Sequence, residues 1–254
     1  MANGGAAMAD KIVSVNGIGK SFGAITALSD VSLSIERGMV TAIVGDNGSG
    51  KSTLIKLLSG NLSPDCGTIT ADGREYPCLT IPQALQMGIR TVYQELSLDD
   101  CKNSYENIFL GHELMRGPFL DRRRMEREAA GLLQRLEINI PDLTEPVRVL
   151  SGGQRQGVAI ARAMLQSGRL LLLDEPTAAM GIREAYQTME LLRRLRAEGH
   201  TLLIVSHDIY QVFDIADRIF VMRAGRCIAD IMAKDSSPDE LHRLILERER
   251  GEAV

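Results

Sequence analysis

Three short apolar runs stand out from an otherwise mixed pattern of hydrophobic and polar positions. They are residues 40–44, 170–173 and 201–205, and each one ends at polar or glycine residues. Continuous apolar runs of this length are typical of strands that are buried on both faces of a parallel sheet. Residues 31–36 alternate instead between apolar and polar positions, which predicts a half-buried strand. The pattern predicts an α/β fold with a mainly parallel sheet.

Turn signals and helical spacing divide the rest of the chain. Short strands at residues 12–15 and 68–70, with turns at 63–65 and 72–73, predict an antiparallel β subdomain near the N-terminus. Residues 95–146 are strand-poor and predict an inserted helical subdomain. Further helices are expected at residues 54–58, 82–87, 122–138, 157–165 and 184–198, a strand at 89–93, and a hairpin at 218–229 that turns at Ala224-Gly225.

The chain of 254 residues is long enough for one large domain with a full core. We expect a single domain over residues 1–254, with a catalytic core and β subdomain at 10–94 and 165–235 and a helical subdomain at 95–164. A capping-box start at Ser237-Pro238 predicts a C-terminal helix within residues 236–254. The first nine residues are expected to be disordered.

The composition of the chain limits the kinds of partner that it can have. Hydrophobic residues make up 44% and charged residues 24% of the chain, as in an ordinary globular protein. The net charge of −4 argues against nucleic acid as a partner, because nucleic-acid binding usually needs a basic face. No run approaches the ~18 consecutive apolar residues of a membrane span. We expect a protein of the cytoplasm that can dock on a membrane protein.

The strongest motif follows the first apolar run and reads GDNGSGKST. It fits the phosphate-loop pattern, in which glycines let backbone N–H groups surround phosphate oxygens. Lys51 is expected to reach the β- and γ-phosphates, and the Ser52 hydroxyl to bind Mg²⁺. The candidate nucleotide-binding residues are Gly45, Asp46, Asn47, Gly48, Ser49, Gly50, Lys51, Ser52 and Thr53.

A phosphate loop of this class needs an acidic partner at the end of a buried strand. The second apolar run ends in Asp174-Glu175-Pro176. We expect Asp174 to hold Mg²⁺ and Glu175 to act as general base on the attacking water.

Residues 150–164 read LSGGQRQGVAIARAM, and here the chain resembles a known family. The run 151–156 is similar to the signature sequence of the ATP-binding cassette (ABC) ATPases. The family's motifs occur in the family's order over nearly the whole chain: phosphate loop, Gln94, signature, Asp174-Glu175 and His207. The resemblance implies ATP and Mg²⁺ as cofactors and ATP hydrolysis as the reaction.

The resemblance also implies a shared site. In the family, the signature caps the γ-phosphate of ATP that is bound to a second subunit, so we expect a dimer. The residues that would do this are Ser151, Gly152, Gly153 and Gln154. Their serine hydroxyl and N–H groups form a helix N-terminus that suits phosphate.

Three further positions take roles by resemblance. Gln94 matches the glutamine that contacts Mg²⁺ or water, with a surface glutamine as the alternative. His207 matches the histidine that hydrogen-bonds the γ-phosphate. Phe22 falls where the family stacks an aromatic ring on adenine, and a core phenylalanine is the alternative.

One position departs from the family. Gly181 stands where an aspartate commonly bridges the two subunits, and the stretch 178–181 is similar to that of bacterial monosaccharide importers of the ribose, xylose and fructose type. The expected function is that of the ATPase subunit of such a transporter, a homodimer bound to a transmembrane permease at the cytoplasmic face of the plasma membrane. An extracytoplasmic sugar-binding protein would be an indirect partner. The alternative is an ABC ATPase that acts on ribosomes or DNA without a permease.

Overall fold

The computed structural model of the chain describes residues 10–178 and 180–247. Residues 1–9, Ala179 and the end of the expected C-terminal helix, 248–254, lie outside the described part, so the expected N-terminal disorder is not addressed. In chain order the strands are β1 (Lys11–Phe22), β2 (Ile25–Glu36), β3 (Val40–Val44), β4 (Cys66–Ala71), β5 (Arg74–Tyr76), β6 (Ile89–Val92), β7 (Met115–Arg116), β8 (Phe119–Leu120), β9 (Leu170–Asp174), β10 (Thr201–Ser206), β11 (Arg218–Arg223) and β12 (Arg226–Met232).

The helices lie between these strands and mostly begin at a polar cap. Thr80, Asn103 and Asp121 each accept a hydrogen bond from a backbone N–H of the first turn, which satisfies a donor that the helix leaves free. In chain order the helices are α1 (Lys51–Leu58), α2 (Ile81–Gln86), α3 (Ser104–Ile108), α4 (Arg122–Arg135), α5 (Gly152–Leu165), α6 (Ile182–Ala197), α7 (Ile209–Phe213) and α8 (Pro238–Glu247).

A six-stranded sheet with the order β12-β11-β3-β10-β9-β6 forms the centre of the fold. All neighbouring strands in it are parallel except β11 and β12, which form the hairpin expected at Ala224-Gly225. The register pairs Ser206 with Val44 and Val205 with Asp174. The carboxyl ends of β3, β9 and β10 therefore meet at one edge of the sheet, where ligands bind in open α/β sheets.

Both faces of this sheet are buried, as the apolar runs predicted. Along β10, Leu202 and Ile204 pack into one hydrophobic cluster, while Leu203 and Val205 pack into the other. Successive strand residues point to opposite faces, so a strand without polar positions requires a cover on each side. Each fully buried side chain of this size contributes about 1.5–3 kcal/mol to the driving force for folding.

A second, antiparallel sheet with the order β2-β1-β4-β5 covers one side of the molecule. It confirms the expected N-terminal β region, but β1 and β2 are each twelve residues long, far longer than predicted. Register shifts interrupt their pairing at several points, which bends the two strands. Because of this length, the end of β1 and the start of β2 reach the phosphate loop.

Two helices begin at least three residues earlier than the sequence predicted. Helix α1 starts at Lys51 and α5 at Gly152, although glycine is a poor helix former. At α5 a capping box outweighs this propensity: the Ser151 hydroxyl accepts a hydrogen bond from the Gln154 N–H, and the Gln154 side chain accepts one from the Ser151 N–H. Within the strand-poor region 95–146 the helices are α3 and α4, the short β7–β8 hairpin lies between them, and much of the rest is irregular rather than helical as predicted.

Candidate functional site

The phosphate loop connects β3 to α1 and depends on glycine at two points. Gly45 and Gly50 have φ values of 154° and 100°. A Cβ atom on Gly45 would lie 2.0 Å from the carbonyl oxygen of Met222, and one on Gly50 would lie 2.5 Å from that of Ala27. Other residues cannot take these positions without moving backbone. At Gly48 a Cβ atom would meet nothing within 4 Å, so this part of the loop faces open space.

Lys51 lies beneath the loop, and its side chain closes it. The Nζ atom donates to the carbonyl oxygens of Gly45 and Asp46 at 2.7 and 2.8 Å, and the residue is 5% exposed. Burial lowers the pKa of Lys51, whereas the nearby carboxylates of Glu175, Asp46 and Asp174 act in the opposite direction. The ammonium group is held at the base of the loop, where it can reach a bound phosphate.

Asp174 ends β9 directly beside the first turn of α1. The Ser52 hydroxyl lies 3.3 Å from Asp174 Oδ1 and donates to it. Burial raises the pKa of Asp174, the Ser52 hydrogen bond lowers it, and the neighbouring charge of Glu175 raises it again. A buried carboxylate beside a hydroxyl is the kind of oxygen-rich set that Mg²⁺ binds next to phosphates.

Glu175 and His207 form a close pair across the ends of β9 and β10. The distance from His207 Nδ1 to Glu175 Oε2 is 2.6 Å, and the Glu175 N–H donates to the carbonyl oxygen of Val205. Glu175 has a φ of 51°, an unusual backbone conformation for a residue other than glycine. Such strain is often kept where function requires a defined side-chain direction. The Glu175 side chain is 12% exposed and that of His207 59%, so the pair opens toward solvent.

These groups border a cavity of about 440 Å³, the nucleotide cavity. Phe22, Gln94, Glu175 and His207 line it together with the loop, as the sequence predicted. Phe22 is 50% exposed, with the Lys20 ammonium 5.7 Å from its ring centre, so the alternative of a core phenylalanine is wrong. The lining residues are Phe22, Ile25, Thr26, Ala27, Asn47, Gly48, Gly50, Lys51, Ser52, Thr53, Gln94, Glu175, Ala178 and His207.

The signature residues are absent from the lining of the nucleotide cavity. Ser151, Gly153 and Gln154 border a second cavity of about 490 Å³, the signature cavity. Ser151 is the N-cap of α5 and is exposed. The Gly152 N–H donates to Glu184 Oε1 at 3.0 Å, and the Gly181 N–H donates to the other oxygen of the same carboxylate at 3.3 Å. A single carboxylate therefore joins the first turn of α5 to the first turn of α6.

Comparison with known proteins decides which family this arrangement belongs to. The ABC transporter family model matches residues 28–178. The chain is 42% identical to the xylose/arabinose import ATP-binding protein XylG of Sulfolobus acidocaldarius, over 91% of this chain and 92% of the relative. It is 38% identical to the fructose import ATP-binding protein FrcA of Rhizobium meliloti, over 89% and 90%. The chain belongs to the ABC transporter family.

A solved structure supports both the fold and the assembly of such cassettes. The chain matches the dimeric structure of a bacterial ABC transporter cassette with a TM-score of 0.74 and 28% identity, over 87% of this chain and 98% of that one. As a member of this family, the present chain is an ATP-binding and ATP-hydrolysing protein. Within residues 10–178 and 180–247, no helix combines the length and apolar character needed to cross a membrane.

Sequence reasoning missed several residues of the cassette. Thr26 and Ala27 reach the nucleotide cavity only because β2 is long, and no local motif marks them. Glu184, three residues after Gly181, has the spacing of a capping residue and could have been found as such. Its bond to Gly152, 32 positions away, could not, because that contact depends on how α5 and α6 pack.

Proposed function

We propose that this chain is the ATPase subunit that powers monosaccharide import. ATP binding and hydrolysis follow from the family; the sugar rests on the xylose/arabinose and fructose import relatives named above. The observation that carries the chemistry is the meeting of Lys51, Asp174 and Glu175 at one sheet edge, with the Glu175–His207 pair facing the nucleotide cavity.

In the proposed mechanism, loop N–H groups and Lys51 hold the β- and γ-phosphates. Ser52, Asp174 and Gln94 would hold Mg²⁺, which supplies neutralisation of phosphate charge when bound. Glu175 takes a proton from the attacking water, and the contact with His207 orients its carboxylate. His207 contacts this carboxylate and would also donate to the γ-phosphate, so it would align base and substrate. Phe22 presents an exposed ring to adenine.

The second half of each site comes from another copy of the chain. Ser151, Gly153 and Gln154 line a different cavity from Lys51, which supports a role away from the nucleotide of their own subunit. We propose that they cap the γ-phosphate of the partner's ATP, in a homodimer with two shared sites. Residues 95–164 form the helical subdomain that carries this signature.

A mixing experiment tests the shared site. Lys51→Ala removes the phosphate contact and Ser151→Arg blocks the signature, so each variant alone should hydrolyse ATP at a few per cent of the parental rate or less. An equimolar mixture contains heterodimers with one intact site and should recover roughly a quarter of the activity, since half of the dimers are mixed and each has one site of two. No recovery, or full activity in either variant alone, argues against sites shared between subunits.

The transport function is tested separately. The cassette is proposed to bind a transmembrane permease peripherally, at the cytoplasmic face of the plasma membrane, with a sugar-binding protein outside. Co-expression with a candidate sugar permease, followed by purification from membranes, should yield a complex whose ATPase rate rises with a loaded sugar-binding protein. Xylose, ribose and fructose are the sugars to compare. Recovery with ribosomes or DNA and without a permease would support the alternative.

A further inference from the structure

Two arginines on one face of α5 contact the same loop, residues 96–103, which follows Gln94. Arg155 and Arg162 are seven positions apart, about two helical turns, so their side chains lie along one side of the helix. The first turn of this helix carries the signature. The chain thus has polar contacts between the segment that enters the nucleotide cavity and the helix that borders the signature cavity.

Arg162 makes two short hydrogen bonds to this loop. Its Nη2 donates to the carbonyl oxygen of Leu96 and its Nη1 to that of Ser97, both at 2.9 Å. Ser97 has a φ of 50°, so the backbone turns sharply at the point where the guanidinium group donates its hydrogen bonds. Arg162 is half-buried, and burial lowers the pKa of its guanidinium group. A charged donor with two neighbouring carbonyl acceptors fixes the position as well as the distance of the backbone.

Arg155 holds the loop farther along. Its Nη2 lies 2.7 Å from Asp100 Oδ1, and its Nη1 donates to the carbonyl oxygen of Val147 at 3.4 Å. Between the two arginine contacts, the fully buried Asn107 side chain accepts from the Asp99 N–H and donates to the Asp99 carbonyl oxygen. The loop is therefore shaped from within by Asn107 and is attached to α5 by the two arginines.

We propose that Arg162, with Arg155, is a positioning residue that makes Gln94 and the signature helix move as one unit. This inference rests on the proposed roles of Gln94 and Ser151. Gln94 faces the ATP of its own subunit, and Ser151 faces that of the partner. A shift of Gln94 on hydrolysis then displaces the partner's γ-phosphate cap, which couples the two ATP sites of the dimer through the two arginines of each chain.

A double-mutant cycle on the purified chain tests the coupling. Arg162→Gln should lower kcat roughly 10-fold, the size expected for a charge-assisted hydrogen bond, while the ATP affinity of the monomer stays within about twofold. In a Gln94→Ala background the same substitution should cost under about twofold, because Arg162 acts through that segment. Equal losses in both backgrounds would overturn the proposal.

Three variants separate positioning from stability. Arg162→Lys keeps the charge but loses the paired donors, and should recover part of kcat. Arg155→Gln, at a half-buried position, should lower kcat by a smaller factor, with the same dependence on Gln94, and it serves if Arg162→Gln does not fold. The control Arg124→Gln removes an exposed ion pair with Glu128 on α4 and should leave kcat and ATP affinity unchanged. If kcat fell only in proportion to the melting temperature of each variant, and if Arg162→Lys recovered none of it, the positioning role of Arg162 would be overturned.

This test is independent of the proposed sugar transport, since it measures ATP hydrolysis alone. If Glu175→Gln hydrolysed ATP at the parental rate, the proposed chemistry would fail whatever the cycle gave. If Glu175→Gln were inactive and the cycle were additive, the chemistry would stand and the arginine coupling would fail.

Discussion

The nucleotide cavity and the signature cavity are built in different ways. The first is made of backbone: two glycines with left-handed φ values, a lysine that binds the loop's own carbonyls, and the ends of buried parallel strands. The second is made of side-chain caps at two helix starts, where Ser151, Gln154 and Glu184 satisfy N–H groups. Backbone construction gives a fixed shape, whereas a capped helix start can exchange its acceptor for another anion.

The two regions also differ in the charged groups that they contain. Lys51, Glu175 and His207 bring a cation, a carboxylate and an imidazole to the nucleotide cavity, and the Asp174 carboxylate lies beside Ser52 of its lining. At the signature, Glu184 already occupies the Gly152 N–H. The nucleotide cavity thus holds the groups proposed for the chemistry, whereas the helix start at the signature is already occupied by a carboxylate of its own chain.

The largest expected effect concerns the base. Glu175→Gln should lower ATP turnover about 10²–10⁴-fold, because the amide cannot accept the proton of the attacking water. ATP affinity, measured by equilibrium binding, should stay within about twofold. The control Glu128→Gln changes an exposed carboxylate on α4 and should hydrolyse ATP normally. Turnover near the parental rate in Glu175→Gln would remove Glu175 from the mechanism.

Next comes the backbone of the loop. Gly45→Ala places a methyl group 2.0 Å from the Met222 carbonyl, so β3 and β11 must separate or the loop must shift. We expect a loss of about 3 kcal/mol or more in stability or a failure to bind ATP. The change Gly48→Ala also falls at a positive φ, of 81°, but its methyl group would meet no atom within 4 Å, so it should cost only about 1 kcal/mol. Equal losses in thermal denaturation and ATP titration would contradict the steric argument.

A smaller effect is expected at the signature. Glu184→Ala leaves the N–H groups of Gly152 and Gly181 without their acceptor and should destabilise the chain by about 1–3 kcal/mol. ATP should still bind the monomer, but turnover should fall because the cap is no longer held in place. Glu190→Ala, on the same helix and paired only with Arg193 among its described contacts, is the control. An unchanged melting temperature in Glu184→Ala would show that water replaces the carboxylate.

The smallest effect is a gain in stability. Burial raises the pKa of Asp174 above its ordinary value of 3.8, so the folded chain holds more protons than the unfolded chain between the two pKa values. Stability therefore falls as the pH rises through that interval. Asp174→Asn removes this cost and should melt higher at pH 7.5 in the absence of Mg²⁺ and nucleotide, with the gain vanishing near pH 3.5. A variant that melts lower at both pH values would show that the carboxylate stabilises the fold.

The hydrolytic part of the nucleotide cavity was largely predictable because the phosphate loop, Asp174-Glu175 and His207 each lie at the end of a continuous apolar run. The runs that become β3, β9 and β10 can only be buried strands, and parallel strands bring their carboxyl ends together. The contacts of Glu184, Arg155 and Arg162 were not predictable, since each joins segments that are 32 to 66 positions apart or meet only through helix packing. The early start of α5 was missed because capping outweighed the low helix propensity of glycine.

The three adjacent strands β9, β10 and β3 have a consequence for how such a chain can diversify. The register of these strands holds Asp174-Glu175, His207 and the phosphate loop next to one another, so the residues proposed for hydrolysis form one structural unit. The rim of the nucleotide cavity is different: Phe22 and Ile25 are exposed ends of strands in another sheet, with Ile25 71% exposed. Substitutions in the rim, in the loop 96–103 or on a surface that meets a partner can therefore accumulate without changing the residues at these three strand ends.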